Sequence, residues 1–360
     1  MNPNNFCIIM AGGTGSRFWP MSSMSKPKQF VDIFGTGRSM LQSTFTRFER
    51  LCPRENIIIV TTRGCAEQVR QQIPDLLDYQ VLCEPMRRNT APCIAYAAAV
   101  INEINPNANI VVTPSDHAIF DEDLFEKNLH EAIDLADRHD WIVTIGVKPI
   151  NPTSKYGYIQ FAEQPSLSDM PGLHRVVTFV EKPPVEMAVQ FIASGEFFWN
   201  AGILVWRLPV LREVYRRHLP SIAVPLFGLG LETSASELAQ VYSTIDTISV
   251  DRGIMEKAEN VHVMEAEFGW SDVETWDSIY QACPKDENGN AVATGKVLAY
   301  DCKNCVVHIP SAGTIIMEGL ENYIVTANDE VLMICHRDCE PQITKYASDY
   351  ELYKSKKNKI

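Results

Sequence analysis

No run of apolar residues in this chain approaches the roughly 18 that a membrane-spanning helix needs, and the longest apolar stretch, residues 91 to 100, is broken by Pro92. The opening residues Met1-Asn2-Pro3-Asn4-Asn5 lack the basic start and apolar core of an export signal. A cytoplasmic protein with no membrane partner is expected. The chain is also poor in positive charge: 32 Lys and Arg face 45 Asp and Glu, a net charge of −13. That balance argues against a nucleic-acid partner and means that any anionic substrate must be met by a few individual cations. The ten cysteines are scattered over 360 residues without a disulfide-framework spacing, so free thiols are expected. What the chain has in quantity is apolar residues, 46% of the total, and at ~150 residues per domain its length makes about two domains.

The first two thirds alternate β-branched runs with amphipathic segments, the pattern of parallel strands joined by crossover helices. Strands are expected at residues 6–10, 56–61, 109–113 and 141–147, with helices at 40–51 behind a Ser39 cap, at 90–104, and at 124–138, where Phe125, Leu129, Ala132 and Ala136 share a face. Beyond Val147 the rhythm is mixed, with further strands at 158–161, 176–180 and 203–206 around a helix at 184–194. The polar, turn-rich Pro284-Lys285-Asp286-Glu287-Asn288-Gly289-Asn290 reads as a domain boundary. Short apolar runs follow at 296–300, 305–309, 314–317, 323–326 and 331–335, the spacing of a small all-β module. The expectation is an α/β domain with a mixed sheet over 1–285 and a C-terminal all-β module over 286–360 that packs or oligomerises, ending in a frayed tail from Lys354. Edges of strands this short need cover, from the α/β domain or from a second subunit, and a homodimer is expected.

The stretch Ala11-Gly12-Gly13-Thr14-Gly15-Ser16-Arg17 follows the first expected strand directly. Glycines there let backbone N–H groups approach a phosphate chain, and Arg17 adds a fixed cationic fork. A dinucleotide fingerprint fails because position 18 is Phe18 rather than glycine, and a P-loop fails for want of a Gly-Lys-Ser/Thr end. Lys26-Pro27-Lys28-Gln29-Phe30 brings two more cations. Asp116 ends an apolar run, where an α/β sheet binds ligands at its carboxyl edge; a helix cap is the alternative reading, for it and for Asp272.

Together, Gly12-Gly13-x-Gly15-x-Arg17 with Pro27-Lys28 resembles the signature of the sugar-nucleotide pyrophosphorylases, the Rossmann-like nucleotidyltransferases. The wording Arg17-Phe18-Trp19-Pro20 and Pro27-Lys28-Gln29-Phe30 is similar to the mannose-1-phosphate guanylyltransferases among them. The likeness continues in order through Glu84-Pro85, Arg88-Asn89-Thr90, Ser115-Asp116-His117, Tyr156-Gly157-Tyr158, Glu181-Lys182-Pro183, Trp199-Asn200-Ala201-Gly202, Ser249-Val250-Asp251 and Gly269-Trp270-Ser271-Asp272. The resemblance implies that GTP and mannose 1-phosphate are joined to GDP-mannose with release of pyrophosphate. It implies a Mg²⁺ ion held by Asp116 and Asp272, with Arg17 and Lys28 stabilising the leaving group and Lys182 holding the sugar phosphate. Gly12, Gly13, Gly15, Asn89, Thr90 and Ser115 would meet the nucleotide, and Gly157, Glu181 and Asn200 the sugar. Plain N-caps are the alternative for Asn89 and Thr90, and a solvated pair for Glu181 and Lys182. Two-domain relatives carry a phosphomannose isomerase domain for which 360 residues leave no room, so one activity is expected.

Cys302-x₂-Cys305 and Cys335-x₃-Cys339 fall within zinc-ligand spacing. The family pattern treats these positions as ordinary strand and turn residues, and no zinc is expected.

Overall fold

The structure, a computed structural model, describes every residue except 14, 311–313 and 358–360, and nothing is described of the side chains of residues 16 and 357. The chain forms two compact units: Met1–Gly12, Phe45–Ser115 and Ile119–Trp270 make the first, and Gly13–Thr44, Asp116–Ala118 and Ser271–Ile360 the second. The expected break at 285/286 falls inside the second unit.

The first unit is built on a nine-stranded mixed sheet. Its strands are β1 (Asn5–Met10), β2 (Ile57–Thr62), β3 (Val81–Glu84), β4 (Asn109–Pro114), β5 (Ile142–Val147), β6 (Tyr158–Leu167), β7 (Met170–Val180), β8 (Phe197–Arg207) and β9 (Val261–Glu265). They lie in the order β3-β2-β1-β4-β8-β5-β9-β7-β6. The first four are mutually parallel, with Cys7 beside Ile57 and Val111, and their β-branched runs are buried as central parallel strands require. Beyond them β8 runs antiparallel to β4 and β5, which makes the sheet mixed as expected. The helix Thr90–Ile104 lies where the apolar spacing put it, and buries Ala91, Ile94, Ala98 and Ile101 among Phe6, Ile8, Ile58 and Val60. The helix Glu122–Arg138 starts two residues earlier than expected because Asp121 caps it, accepting from Leu124 N at 2.9 Å. Its buried face holds Phe125, Leu129, Ala132 and Ala136, and the Phe125 ring meets those of Phe48 and Phe268 edge-on.

In the second unit β10 (Ala291–Thr294), β12 (Val306–His308) and β14 (Tyr323–Ala327) run parallel, and β15 (Leu332–His336) closes the sheet antiparallel to β14. The strands β11 (Lys296–Tyr300) and β13 (Thr314–Glu318) form a separate parallel pair. Every C-terminal run expected to be a strand is one. Two expectations need correction. The module is not all-β, because Ile343–Lys357 is a helix, and the tail is not frayed from Lys354, since that helix runs to Lys357 and Lys354 Nζ meets Glu330 Oε2 at 2.6 Å. Nor is its core supplied by the C-terminal residues alone. Phe18, Met21, Val31, Ile33 and Met40 pack in one apolar cluster with Trp276, Val306, Ile324 and Met333, and the rings of Phe18 and Trp276 stand 5.7 Å apart.

Candidate active site

The strongest charge arrangement lies in the second unit. Lys28 is buried in a short 3₁₀ turn, Lys28–Phe30, that ends the Pro27-Lys28 motif. Its ammonium donates to Asp116 Oδ2 at 2.8 Å and to the carbonyls of Asp272 at 2.8 Å and Val273 at 2.9 Å. An ammonium has three hydrogens, and all three are engaged. Burial alone would raise the Asp116 carboxyl, but Lys28 and His117 hold it below its ordinary range. Val273, buried and β-branched, has φ of +46°, a conformation such residues rarely take. It turns the chain so that two successive carbonyls reach one cation. Asp272 is not the cap of the helix Trp276–Ala282, a part taken by Thr275 with Ser278, although its Oδ1 accepts from Glu274 N at 3.1 Å. Arg17, more than half exposed, pairs with Glu274 Oε1 at 2.7 Å. Gly15 has φ of +59°, and a Cβ there would lie 2.5 Å from that of Lys28, so only glycine lets this loop lie against the lysine. Gly13 accepts from Gln29 Nε2 at 3.1 Å, and Thr14 lies outside the described residues.

The first unit holds the remaining expected residues at strand ends, at the N-terminus of the helix Thr90–Ile104 and, for Asn200, within β8. Ser115, buried after β4, donates its N–H to Met10 O at 3.0 Å. Gly12 follows β1, and a Cβ on it would meet Glu84 Oε2 at 4.0 Å. Asn89 takes the N-cap of Thr90–Ile104, accepting from Thr90 N at 2.8 Å, and Thr90 Oγ1 accepts from Val250 N at 2.8 Å. Gly157 accepts the Asn200 N–H at 2.8 Å. Asn200 Nδ2 donates to Asp251 Oδ1 at 3.1 Å. Glu181 Oε2 accepts from Ser249 Oγ at 3.2 Å and pairs with Arg252 Nε at 2.9 Å. Lys182 is exposed, with φ of +50°, and makes no ion pair among the described residues.

A profile of the nucleotidyl transferase family matches residues 6–289. The chain belongs to that family. This nucleotidyl transferase is 33% identical over 359 residues to a mannose-1-phosphate guanylyltransferase of Salmonella montevideo, covering 96% of this chain and 74% of the relative. It is 32% identical to the alginate biosynthesis protein AlgA of Pseudomonas aeruginosa, covering 96% and 72%. A solved structure from Thermus thermophilus, described as a mannose-1-phosphate geranyltransferase, superposes with a TM-score of 0.87 at 29% identity, over 97% of this chain and 99% of the other.

Nucleotidyl transferases are generally metal-dependent. No cluster of three or more His, Cys, Asp or Glu suited to a metal exists among the described residues; Asp116 presents a carboxylate oxygen to Lys28, whereas Asp272 meets that lysine through its main-chain carbonyl and turns its carboxylate to Glu274 N. Carboxylate oxygens are hard donors of the kind that a hard cation takes. The sequence reading missed the partners of the motif residues: Glu274 on Arg17, Ser249 and Arg252 on Glu181, Asp251 on Asn200. Two of these, Ser249 and Asp251, lay in a quoted motif without a role. Glu84, within the Glu84-Pro85 motif, likewise had no role; its carboxyl is pushed up to about 7 by burial, against the Tyr242 hydroxyl that donates to it at 3.2 Å and the Arg87 charge. The thiols of Cys302 and Cys305 face the carbonyls of Tyr300 and Lys303, each at 3.3 Å.

Proposed function

We propose that this chain transfers GMP from GTP to α-D-mannose 1-phosphate, giving GDP-mannose and pyrophosphate. The observation that carries this reading is kinship over nearly the whole chain with an enzyme named for that transfer. The sugar phosphate, with a second pKa near ~6, is already largely dianionic at neutral pH, so its oxygen attacks the α-phosphorus without a general base. Positioning and charge neutralisation then set the rate.

Arg17 and Lys28 are assigned to the departing pyrophosphate. Both are partnered in the free protein, so a phosphate oxygen competes with Glu274 for Arg17 and with Asp116 for Lys28. The first exchange costs little, because exposed pairs contribute only about 0–1 kcal/mol. Lys182 is assigned to the sugar phosphate, Glu181, Asn200 and Gly157 to the hexose, and Gly12, Gly13, Gly15, Ser115, Asn89 and Thr90 to the nucleotide. Asp116 and Asp272 would hold Mg²⁺, which when bound supplies positive charge across the two reacting phosphates. A cytoplasmic homodimer, with residues 286–360 serving packing or oligomerisation, completes the reading.

Pyrophosphate release is the direct test, measured over a panel of nucleoside triphosphates and hexose 1-phosphates. GTP with mannose 1-phosphate is expected to turn over fastest; faster turnover of UTP or dTTP with glucose 1-phosphate would refute the assignment. Asp116→Asn and Asp272→Asn keep side-chain shape and remove charge, and each is expected to lower kcat by roughly 10²-fold at limiting Mg²⁺. Near-normal turnover in either removes that residue from the metal site.

A further inference from the structure

Asp251 was quoted within a motif and given no role, yet it governs the side chain next to it. The Asn200 amide is fully specified by its neighbours. Its Oδ1 accepts from Gly202 N at 3.0 Å and its Nδ2 donates to Asp251 Oδ1 at 3.1 Å, while the Thr144 hydroxyl, 3.3 Å from Oδ1, shares its one hydrogen with Ile203 O at 3.2 Å. A flipped amide would set oxygen against the Asp251 oxygen and N–H against the Gly202 N–H, so only one orientation satisfies both bonds. The Asn200 backbone is fixed too, through its N–H to Gly157 O at 2.8 Å. Oδ1 is held by the Gly202 N–H, with the Thr144 hydroxyl beside it, and one Nδ2 hydrogen is used. A single N–H remains available to a ligand.

The turn that carries Asp251 holds other expected site residues as well. Ser249 and Arg252 fix Glu181, and Val250 N–H donates to Thr90. Four consecutive residues therefore secure Glu181, Asn200 and Thr90. Asp251 is an unfavourable group to keep in such a turn: burial and the nearby Glu181 charge push its carboxyl up to about 6, against hydrogen bonds from its own backbone and Asn200. A bare requirement for packing would be met by an apolar residue.

We infer that Asp251 is a positioning residue that fixes the Asn200 amide so that its one remaining N–H addresses a hydroxyl of the hexose. The inference rests on the reading of Asn200 as a sugar contact. Asp251 acts through a hydrogen bond, so an amide oxygen at the same place serves as well as a carboxylate. Chemistry at phosphorus does not involve it.

A double-mutant cycle between Asp251→Ala and Asn200→Ala tests this, with Asp251→Asn as the conservative variant, all read with the hexose 1-phosphate that the wild-type enzyme turns over best. Asp251→Ala is expected to raise KM for the sugar phosphate about tenfold, with kcat and KM for GTP within about threefold. In the Asn200→Ala background the same change should add less than about threefold, because its target is gone. Asp251→Asn should stay within about threefold of wild type throughout. Multiplicative effects of the two alanines would overturn the inference, as would a tenfold KM rise in Asp251→Asn or a loss confined to kcat. The asparagine variant is nearly isosteric, so its result decides even if Asp251→Ala does not fold. A wrong sugar assignment shows instead in the wild-type panel, as preference for another hexose 1-phosphate, and leaves the cycle readable with that substrate.

Discussion

In the second unit the cations expected to meet phosphate are each already matched to a carboxylate, Lys28 to Asp116 and Arg17 to Glu274. In the first unit the side chains expected to meet the sugar are one carboxylate, Glu181, and one amide, Asn200, held by a hydroxyl, a backbone N–H, the Asp251 carboxylate and one arginine. On the proposed assignment the difference follows from the ligands. A chain of net charge −13 that binds polyphosphate needs cations that are stable before the substrate arrives, and a carboxylate partner supplies that stability at the cost of an exchange on binding. Sugar hydroxyls are neutral and directional, so the residues that read them must be oriented in advance.

The largest effect is expected at Lys28. Lys28→Met keeps much of the volume and leaves the Asp116 carboxylate and the two carbonyls without their donor. Uncompensated burial of a charge and loss of leaving-group stabilisation together should lower kcat by ~10³-fold or more and reduce thermal stability. A folded variant with kcat within tenfold of wild type would show that the ion pair is scaffolding only.

Intermediate effects should separate the two units by substrate. Lys182→Ala is expected to raise KM for mannose 1-phosphate at least as much as it lowers kcat and to leave KM for GTP nearly unchanged, since that phosphate is charged before the reaction begins. Arg17→Ala should instead lower kcat by roughly 10–10²-fold, because charge grows on pyrophosphate in the transition state. Steady-state kinetics with each substrate varied in turn would expose a reversed pattern, and with it a reversed assignment of the phosphate subsites.

The smallest effect concerns Glu84. A carboxyl whose folded pKa is raised to about 7, from an ordinary value of 4.5, stabilises the fold most below the ordinary value. That contribution is lost as pH rises through the folded value. Glu84→Gln should therefore gain on wild type between pH 5 and pH 8, by roughly 1–3 kcal/mol in denaturant titrations. An unchanged difference across that range would mean Glu84 titrates normally.

Much of this was legible from sequence because it depends on local periodicity. The helix Thr90–Ile104 and strand β11 fall on the expected residues, and the motif residues Arg17, Lys28, Asp116 and Asp272 do share one unit. The C-terminal helix was readable in principle, since Ile343, Tyr346, Tyr350 and Tyr353 follow helical spacing; the five preceding strands biased that segment toward β. What no local pattern carries is a bond such as that from Lys28 to the Asp272 carbonyl, across 244 residues. The same holds for the left-handed turn at Val273, which residue type would disfavour.

The second unit's discontinuity has a consequence for how the protein is made. Phe18, Val31 and Ile33 leave the ribosome early, yet their apolar partners Trp276, Val306 and Ile324 come some 240 residues or more later. During synthesis this N-terminal stretch must wait with its apolar side chains uncovered, while the strands and helices of the first unit are made. Expressing residues 286–360 alone would strand the opposite half, β-strands lacking the aromatic and aliphatic groups of Gly13–Thr44 that fill their core. Nascent chains stalled before Trp276 should accordingly be the most chaperone-dependent and protease-sensitive forms of this protein, and a stop codon anywhere before the final strands would spoil the segment at the very start of the chain.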